Sequence, residues 1–289
     1  MINTQLRAPL RSIAEQVCRY RTTTVGLGIM TCTILVLAAK TARLGHATAY
    51  LAAMLLGALI VDAVARTEVL SEWIVRDPVR ESRIVAFALL VTAGLSVLRF
   101  VLPVEVQHLP PVIRGGLGVL VLLFVYPGFL SYYFFVSCRY RPRDLGLDWH
   151  RAWVALPIIA VIGVVGSAAV PEKQQFRTMF EQMGLLGMLL LGFGTAAIPE
   201  EFVRGLSQSR FAALLGDKGL GWLTGSMLWA LLHIPIFYRD SGSFAASLRS
   251  AIGILPLGLL WGYMSARLRS ILPSIFVHGT NLWGLQDVL

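Results

Sequence analysis

The chain has 289 residues, of which 56% are hydrophobic and only 14% charged, with a formal net charge of +9. Soluble domains carry about a quarter charged residues, so this composition, with a mean hydropathy of +0.70, excludes a water-soluble globular protein and indicates a polytopic membrane protein. The positive balance is no sign of nucleic-acid binding, because the basic residues are distributed loop by loop as membrane topology requires.

In the first 23 residues, Ile2, Leu6, Leu10, Ile13, Val17 and Tyr20 recur at helical spacing with arginines between them. That pattern predicts an interfacial amphipathic helix on an anionic membrane surface, with Pro9 preventing a straight helix from the first residue. The segment lacks the short apolar core and small-residue cleavage site of a signal peptide. Apolar windows follow near 24–39, 46–65, 84–103, 116–137, 152–171, 183–205, 219–237, 250–266 and 270–286. About 20 such residues cross a bilayer as a helix, and the short alternating strands of a membrane barrel are not seen. The expected fold is therefore an all-α polytopic transmembrane bundle of eight to nine spans. It comprises an interfacial segment (1–23), N-terminal membrane helices (24–182) and a core of polar-bearing helices (183–289). Residues Arg66–Arg83 and Arg139–Arg151, Arg210, Lys218, Arg267 and Arg269 fall on one side, which the positive-inside pattern makes cytoplasmic together with the N-terminus. Cys18, Cys32 and Cys138 have no metal-type spacing and imply no disulfide.

Ionisable residues inside apolar windows are costly and are by default functional or paired. In the first half these are Asp62 and Arg99, read as a structural pair between the second and third spans. Gly221, Gly225, Ser226, Gly253, Gly258 and Gly262 are read as small residues that let helices approach closely. The chemistry concentrates in the last spans. Glu200 and Glu201 stand together after Ile198-Pro199, and Arg204 follows within a turn. His233 lies in Trp229-Ala-Leu-Leu-His-Ile-Pro235, and His278 in Ile275-Phe-Val-His-Gly-Thr-Asn281. His46, His108 and His150 fall at span ends or in loops and are read as solvated.

Spacing brings these groups together in pairs. Arg204 is four residues from Glu200 and three from Glu201, so either carboxylate can share a helix face with the guanidinium. Trp229 and His233 are four apart, and His278 and Asn281 three apart. A plain buried ion pair accounts for one glutamate and leaves the second without a cation. Two adjacent carboxylates beside one arginine titrate separately, which leaves one available as a general base. With imidazoles nearby, the parts suit activation of water for hydrolysis, and the Asn281 carboxamide suits an oxyanion donor.

Other intramembrane hydrolases are excluded by motif. No His-Glu-x-x-His occurs, Asp62 stands alone in its span without a Gly-x-Gly-Asp partner, and Gly225-Ser226 lacks the glycine that follows a rhomboid nucleophile. The glutamate type remains. A small proton-coupled transporter is disfavoured by the lack of paired, broken repeat helices.

Ile198-Pro-Glu-Glu-Phe-Val-Arg-Gly205, Trp229 to Pro235 and Ile275 to Asn281 resemble the three motifs of the CPBP family. These are the CaaX-protease and bacteriocin-processing intramembrane proteases, which include the type II prenyl-protein endoprotease. The connecting stretches Arg204–Gly216 and Gly258–Pro273 fit as well, so the resemblance covers roughly residues 183–286. It implies that Glu200 and His233 activate water, that Glu201 and Arg204 orient the site, and that His278 with Asn281 holds an oxyanion or a metal. It is compatible with zinc or another divalent ion on His233, His278 and Glu200, and equally with a metal-free mechanism. The implied substrate is a lipidated or otherwise membrane-associated peptide, and the implied location a prokaryotic plasma membrane. Three departures stand out. The family has three residues between the Glu pair and the Arg where this chain has two, pairs the last His with Asn or Asp four residues on rather than three, and has Phe where Trp229 stands. The shortened first motif leaves open a catalytically silent member that serves as membrane scaffold, immunity or regulatory protein.

Overall fold

The computed structural model describes residues 21–65, 73–101, 108–169 and 174–281. The predicted interfacial helix therefore lies outside the described residues, apart from its last three positions. Every regular element among the described residues is helical. In chain order these are α1 (Arg21–Lys40), α2 (Leu44–Ala65), α3 (Pro78–Phe100), α4 (Pro111–Leu120) and α5 (Gly128–Ser131). They continue with α6 (Ala155–Ala169), α7 (Gln174–Leu189), α8 (Ile198–Leu215), α9 (Lys218–Leu231), α10 (Ile234–Ser241), α11 (Phe244–Leu268) and α12 (Leu272–Asn281). Wider π turns extend α4 over Val121–Val125, α5 over Tyr132–Ser137, and join α7 to α8 over Leu190–Ala197.

Local chemistry sets the ends. Asp77 caps α3 by accepting from the Arg80 N–H, with Pro78 in the first turn, and Asp217 caps α9 by accepting from Leu220. Gly216 closes α8 with φ of 66°, a left-handed conformation that suits a residue without Cβ. The π segment ahead of α8 coincides with Pro199, which has no N–H to give the preceding turn; Thr195 Oγ1 there donates to the Leu191 carbonyl at 2.7 Å.

Six helices among the described residues are long and apolar enough to cross a membrane, or seven if the pair bent by 54° at Tyr126–Pro127 counts as one span. The chain is an integral, multi-pass membrane protein. The bundle is as expected, and the count among the described residues is slightly lower than eight to nine. The apolar window near 152–171 holds α6, which follows a 3-10 turn over Trp149–Val154. The window near 270–286 yields α12, ten described residues long and buried on nearly every side. Its described residues pack inside the bundle.

Two buried ion pairs lock the bundle where the sequence suggested solvated loops or other partners. Arg99, the partner expected for Asp62, has its side chain outside the described residues. Asp62 Oδ1 instead accepts from Arg267 Nε at 2.7 Å and Tyr263 OH at 2.6 Å, tying α2 to α11. The reason is directional: Asp62 lies near one end of α2, whereas Arg99 lies at the far end of the helix that runs back. Similarly Glu81 in the first turn of α3 binds Arg210 Nε at 3.1 Å, and both are buried. Tyr140 OH donates to Glu81 Oε1 at 2.6 Å and accepts from the Arg76 N–H at 2.9 Å. Burial and that bond push the Tyr140 phenol up to about 12, so it remains a donor at any physiological pH. Replacing Glu81 with Ala strands a buried guanidinium and is expected to cost about 3–5 kcal/mol; thermal unfolding in detergent would register this as a markedly lowered midpoint.

Small residues set the helix spacing. A Cβ on Gly221 would lie 2.4 Å from the Ala212 Cβ, and one on Gly225 would lie 3.0 Å from the Gln208 backbone, so α8 and α9 touch backbone to backbone. A Cβ on Gly262 would lie 2.9 Å from Arg204 Nη1, which lets α11 close over the arginine.

Candidate active site

Four helices meet around the acidic doublet. Glu200, Glu201 and Arg204 come from α8, Trp229 from α9, Trp261 and Ser265 from α11, and His278 from α12; His233 caps the start of α10. Glu200 is ten residues from Arg210, about 15 Å of helix, and Trp261 is six from Arg267, about 9 Å. The cluster thus lies inside the bundle, well below the level of the two ion pairs.

The two glutamates have different surroundings. Glu201 is fully buried against Arg204, which donates from Nε (3.1 Å) and Nη2 (2.5 Å) to Oε2. The same guanidinium donates to Gln208 Oε1 at 2.9 Å and to Ser265 Oγ at 2.9 Å, and Gln208 Nε2 in turn donates to the Gly262 carbonyl at 3.1 Å. A buried ion pair repays its desolvation only when its remaining donors are met, and here side chains from α8 and α11 meet them. Arg204 therefore selects the glutamate three residues back, not the one four back.

Glu200 faces the other way. Its Oε2 accepts from the Trp229 indole N–H at 2.7 Å and lies 3.5 Å from His233 Nε2 and 3.7 Å from His278 Nε2. The second carboxylate is thus not left unopposed: an indole and two imidazoles surround one of its oxygens. Glu200 and His233 keep 29% and 24% of their side-chain surface, against 3% for His278 and none for Glu201 or Arg204. Only the first two can be reached from outside the protein core.

The imidazoles are held by their other nitrogens. His233 Nδ1 lies 2.9 Å from the Trp229 carbonyl, and His278 Nδ1 lies 3.2 Å from Glu201 Oε1. A carbonyl and an arginine-bound carboxylate can only accept, so each Nδ1 carries the hydrogen and each Nε2 is turned to Glu200. The His278 ring stacks on Trp261 at 4.0 Å and 14°, and Trp229 meets both imidazoles edge-on at 4.6 and 5.8 Å. Asn281 is buried on α12, one turn beyond His278.

Residues 182–283 match the family described as type II CAAX prenyl endopeptidase, Rce1-like. Over these residues the chain is similar to that family, and the match takes in the three motifs that resemble those of the CPBP proteases. No curated protein and no solved structure matches the chain. The matched stretch contains α8 to α12 and thus every residue of the cluster, whereas the helices before it serve as packing partners.

A metal at this site would have to use His233 Nε2, His278 Nε2 and Glu200 Oε2. Those donors do not form a ready site: Glu200 Oε2 is already bonded to the indole, and among the described residues no group of three or more His, Cys, Asp or Glu is arranged to hold an ion.

Several residues of the cluster carry no signal of their own in the sequence. Gln208 was accessible as the residue four after Arg204, on the same helix face. Ser265 and Trp261 lie on a different helix, and no spacing rule links them to Arg204 or His278.

Proposed function

We propose that the protein is an intramembrane endopeptidase that cleaves a lipidated or otherwise membrane-associated peptide with water activated by Glu200. The observation that carries this reading is the meeting of a partly open carboxylate with two imidazole Nε2 atoms 3.5 and 3.7 Å away, deep in a membrane bundle. Similarity to a prenyl endopeptidase family over the same residues supports it.

In this mechanism Glu200 takes a proton from water as the water oxygen bonds to the scissile carbonyl carbon. The tetrahedral oxyanion is held by the Asn281 carboxamide. Collapse breaks the C–N bond, and the leaving nitrogen receives its proton from Glu200 through His233 Nε2. Glu201 and Arg204 stay an ion pair throughout; their task is to hold His278 through its Nδ1–H. The site serves substrates that arrive from a prokaryotic plasma membrane, with the basic-rich end of the bundle and the N-terminus on the cytoplasmic side.

The test is cleavage of fluorogenic peptides that end in a prenylated Cys-a-a-X sequence, and of their unprenylated counterparts, by purified protein in liposomes. Product from wild type and none from His233→Ala is the expected result. Equal turnover by the two proteins removes His233 from the chemistry, and no turnover of any peptide by wild type favours a scaffold role.

A further inference from the structure

Trp229 touches both halves of the cluster at once. Its indole N–H donates to Glu200 Oε2 at 2.7 Å, and its backbone carbonyl accepts from His233 Nδ1 at 2.9 Å. Its ring lies edge-on to His233, His278 and Trp261. The indole is buried, and a buried indole usually finds some acceptor; here the acceptor is the glutamate at the centre of the site. Among the described residues this is the shortest contact to that carboxylate, since the imidazole Nε2 atoms lie at 3.5 and 3.7 Å.

The bulk of the indole is accommodated by one position on α11. A Cβ added at Gly258 would lie 2.6 Å from Cε3 and 3.0 Å from Cζ3 of the Trp229 six-membered ring. The Gly258 carbonyl also accepts from Ser226 Oγ at 3.0 Å, which fixes α9 and α11 together beneath the ring. The orientation of the indole N–H is therefore set by α11.

We propose that Trp229 is the positioning residue of this site, fixing Glu200 and His233 relative to each other, and that Gly258 makes that placement possible. This inference rests on the peptidase reading for its consequence but not for its geometry. A hydrogen bond to a carboxylate restricts which oxygen meets water and which conformers Glu200 samples. Losing it misplaces the base without touching substrate binding, and misplaced reacting groups lower kcat rather than raise KM.

Three variants test the proposal. Trp229→Phe keeps an aromatic ring and the backbone carbonyl but loses the donor; kcat is expected to fall about 10- to 100-fold with little change in KM. The acidic limb of its pH–rate profile should be displaced from that of wild type. Gly258→Ala should lower kcat by pushing the indole aside, and the double variant should be no worse than Trp229→Phe, because both changes break one contact. Wild-type kcat in Trp229→Phe, a superimposable pH profile, or additive losses in the double variant would each overturn the proposal. An independent spectroscopic readout covers a Trp229→Phe protein that fails to fold. The indole N–H band in resonance Raman spectra should shift in Glu200→Ala, and an unchanged band would sink the positioning role. Absence of peptide cleavage by wild type, with the band shift present, sinks the peptidase reading alone.

Discussion

Glu200→Gln is expected to lower peptide cleavage by at least about 100-fold, towards 10,000-fold, the range associated with loss of a general base. The amide has the volume of the carboxylate, and its carbonyl oxygen can still accept the Trp229 indole N–H. It cannot take a proton from water. The partly exposed position of Glu200 means that the fold does not depend on its charge. The thermal midpoint in detergent should therefore stay close to wild type while turnover disappears. Full activity in this variant would transfer the base role elsewhere and undo the proposed mechanism.

Arg204→Ala should do the reverse. The guanidinium is fully buried and bonds Glu201, Gln208 and Ser265. Its removal leaves a carboxylate buried without its cation, at an expected cost of about 3–5 kcal/mol. That is a large fraction of the stability of a typical fold. Thermal unfolding and the yield of monodisperse protein would report it before any assay of activity. Arg204→Lys should recover little, since a single ammonium cannot reproduce a fork that serves three partners from α8 and α11. A variant at Arg204 that melts like wild type would show that the pair is not what holds these helices together. The contrast between the two glutamates is thus directly measurable: under the proposed mechanism one carries the chemistry and the other the framework.

The departures of the first motif look different once the helices are placed. With two residues rather than three between the doublet and the arginine, the guanidinium still reaches a carboxylate, because three-residue spacing shares a helix face as well as four does. It reaches Glu201 rather than Glu200. That leaves Glu200 turned towards Trp229, His233 and His278, so the shortened spacing does not remove the second carboxylate from the site. The replacement of Phe by Trp229 proves more than a change of bulk, since the indole contributes the donor to Glu200.

The charged loops illustrate the opposite failure. Arg210, Arg267 and Glu81 occupy sequence contexts typical of cytoplasmic ends, and a count of basic residues treats them as solvated. All three are buried at helix ends, where they join α3 to α8 and α2 to α11. Charge patterning gives the side of the membrane to which a residue belongs but not whether a neighbouring helix covers it.

Hydropathy and composition alone were sufficient for a helical membrane bundle, because a chain in lipid must satisfy its backbone hydrogen bonds within each segment. Spacing within single helices likewise determined that Glu201 or Glu200 would meet Arg204 and that Trp229 would lie over His233. The tertiary structure alone decided which glutamate the arginine takes, that Asp62 binds Arg267, and that two imidazoles from separate helices converge on one oxygen of Glu200. Periodicity fixes the face a residue occupies on its own helix. The distance between helices depends on where glycines allow backbones to touch, as at Gly221, Gly225, Gly258 and Gly262, and on side-chain volumes across the contact, which no local pattern contains.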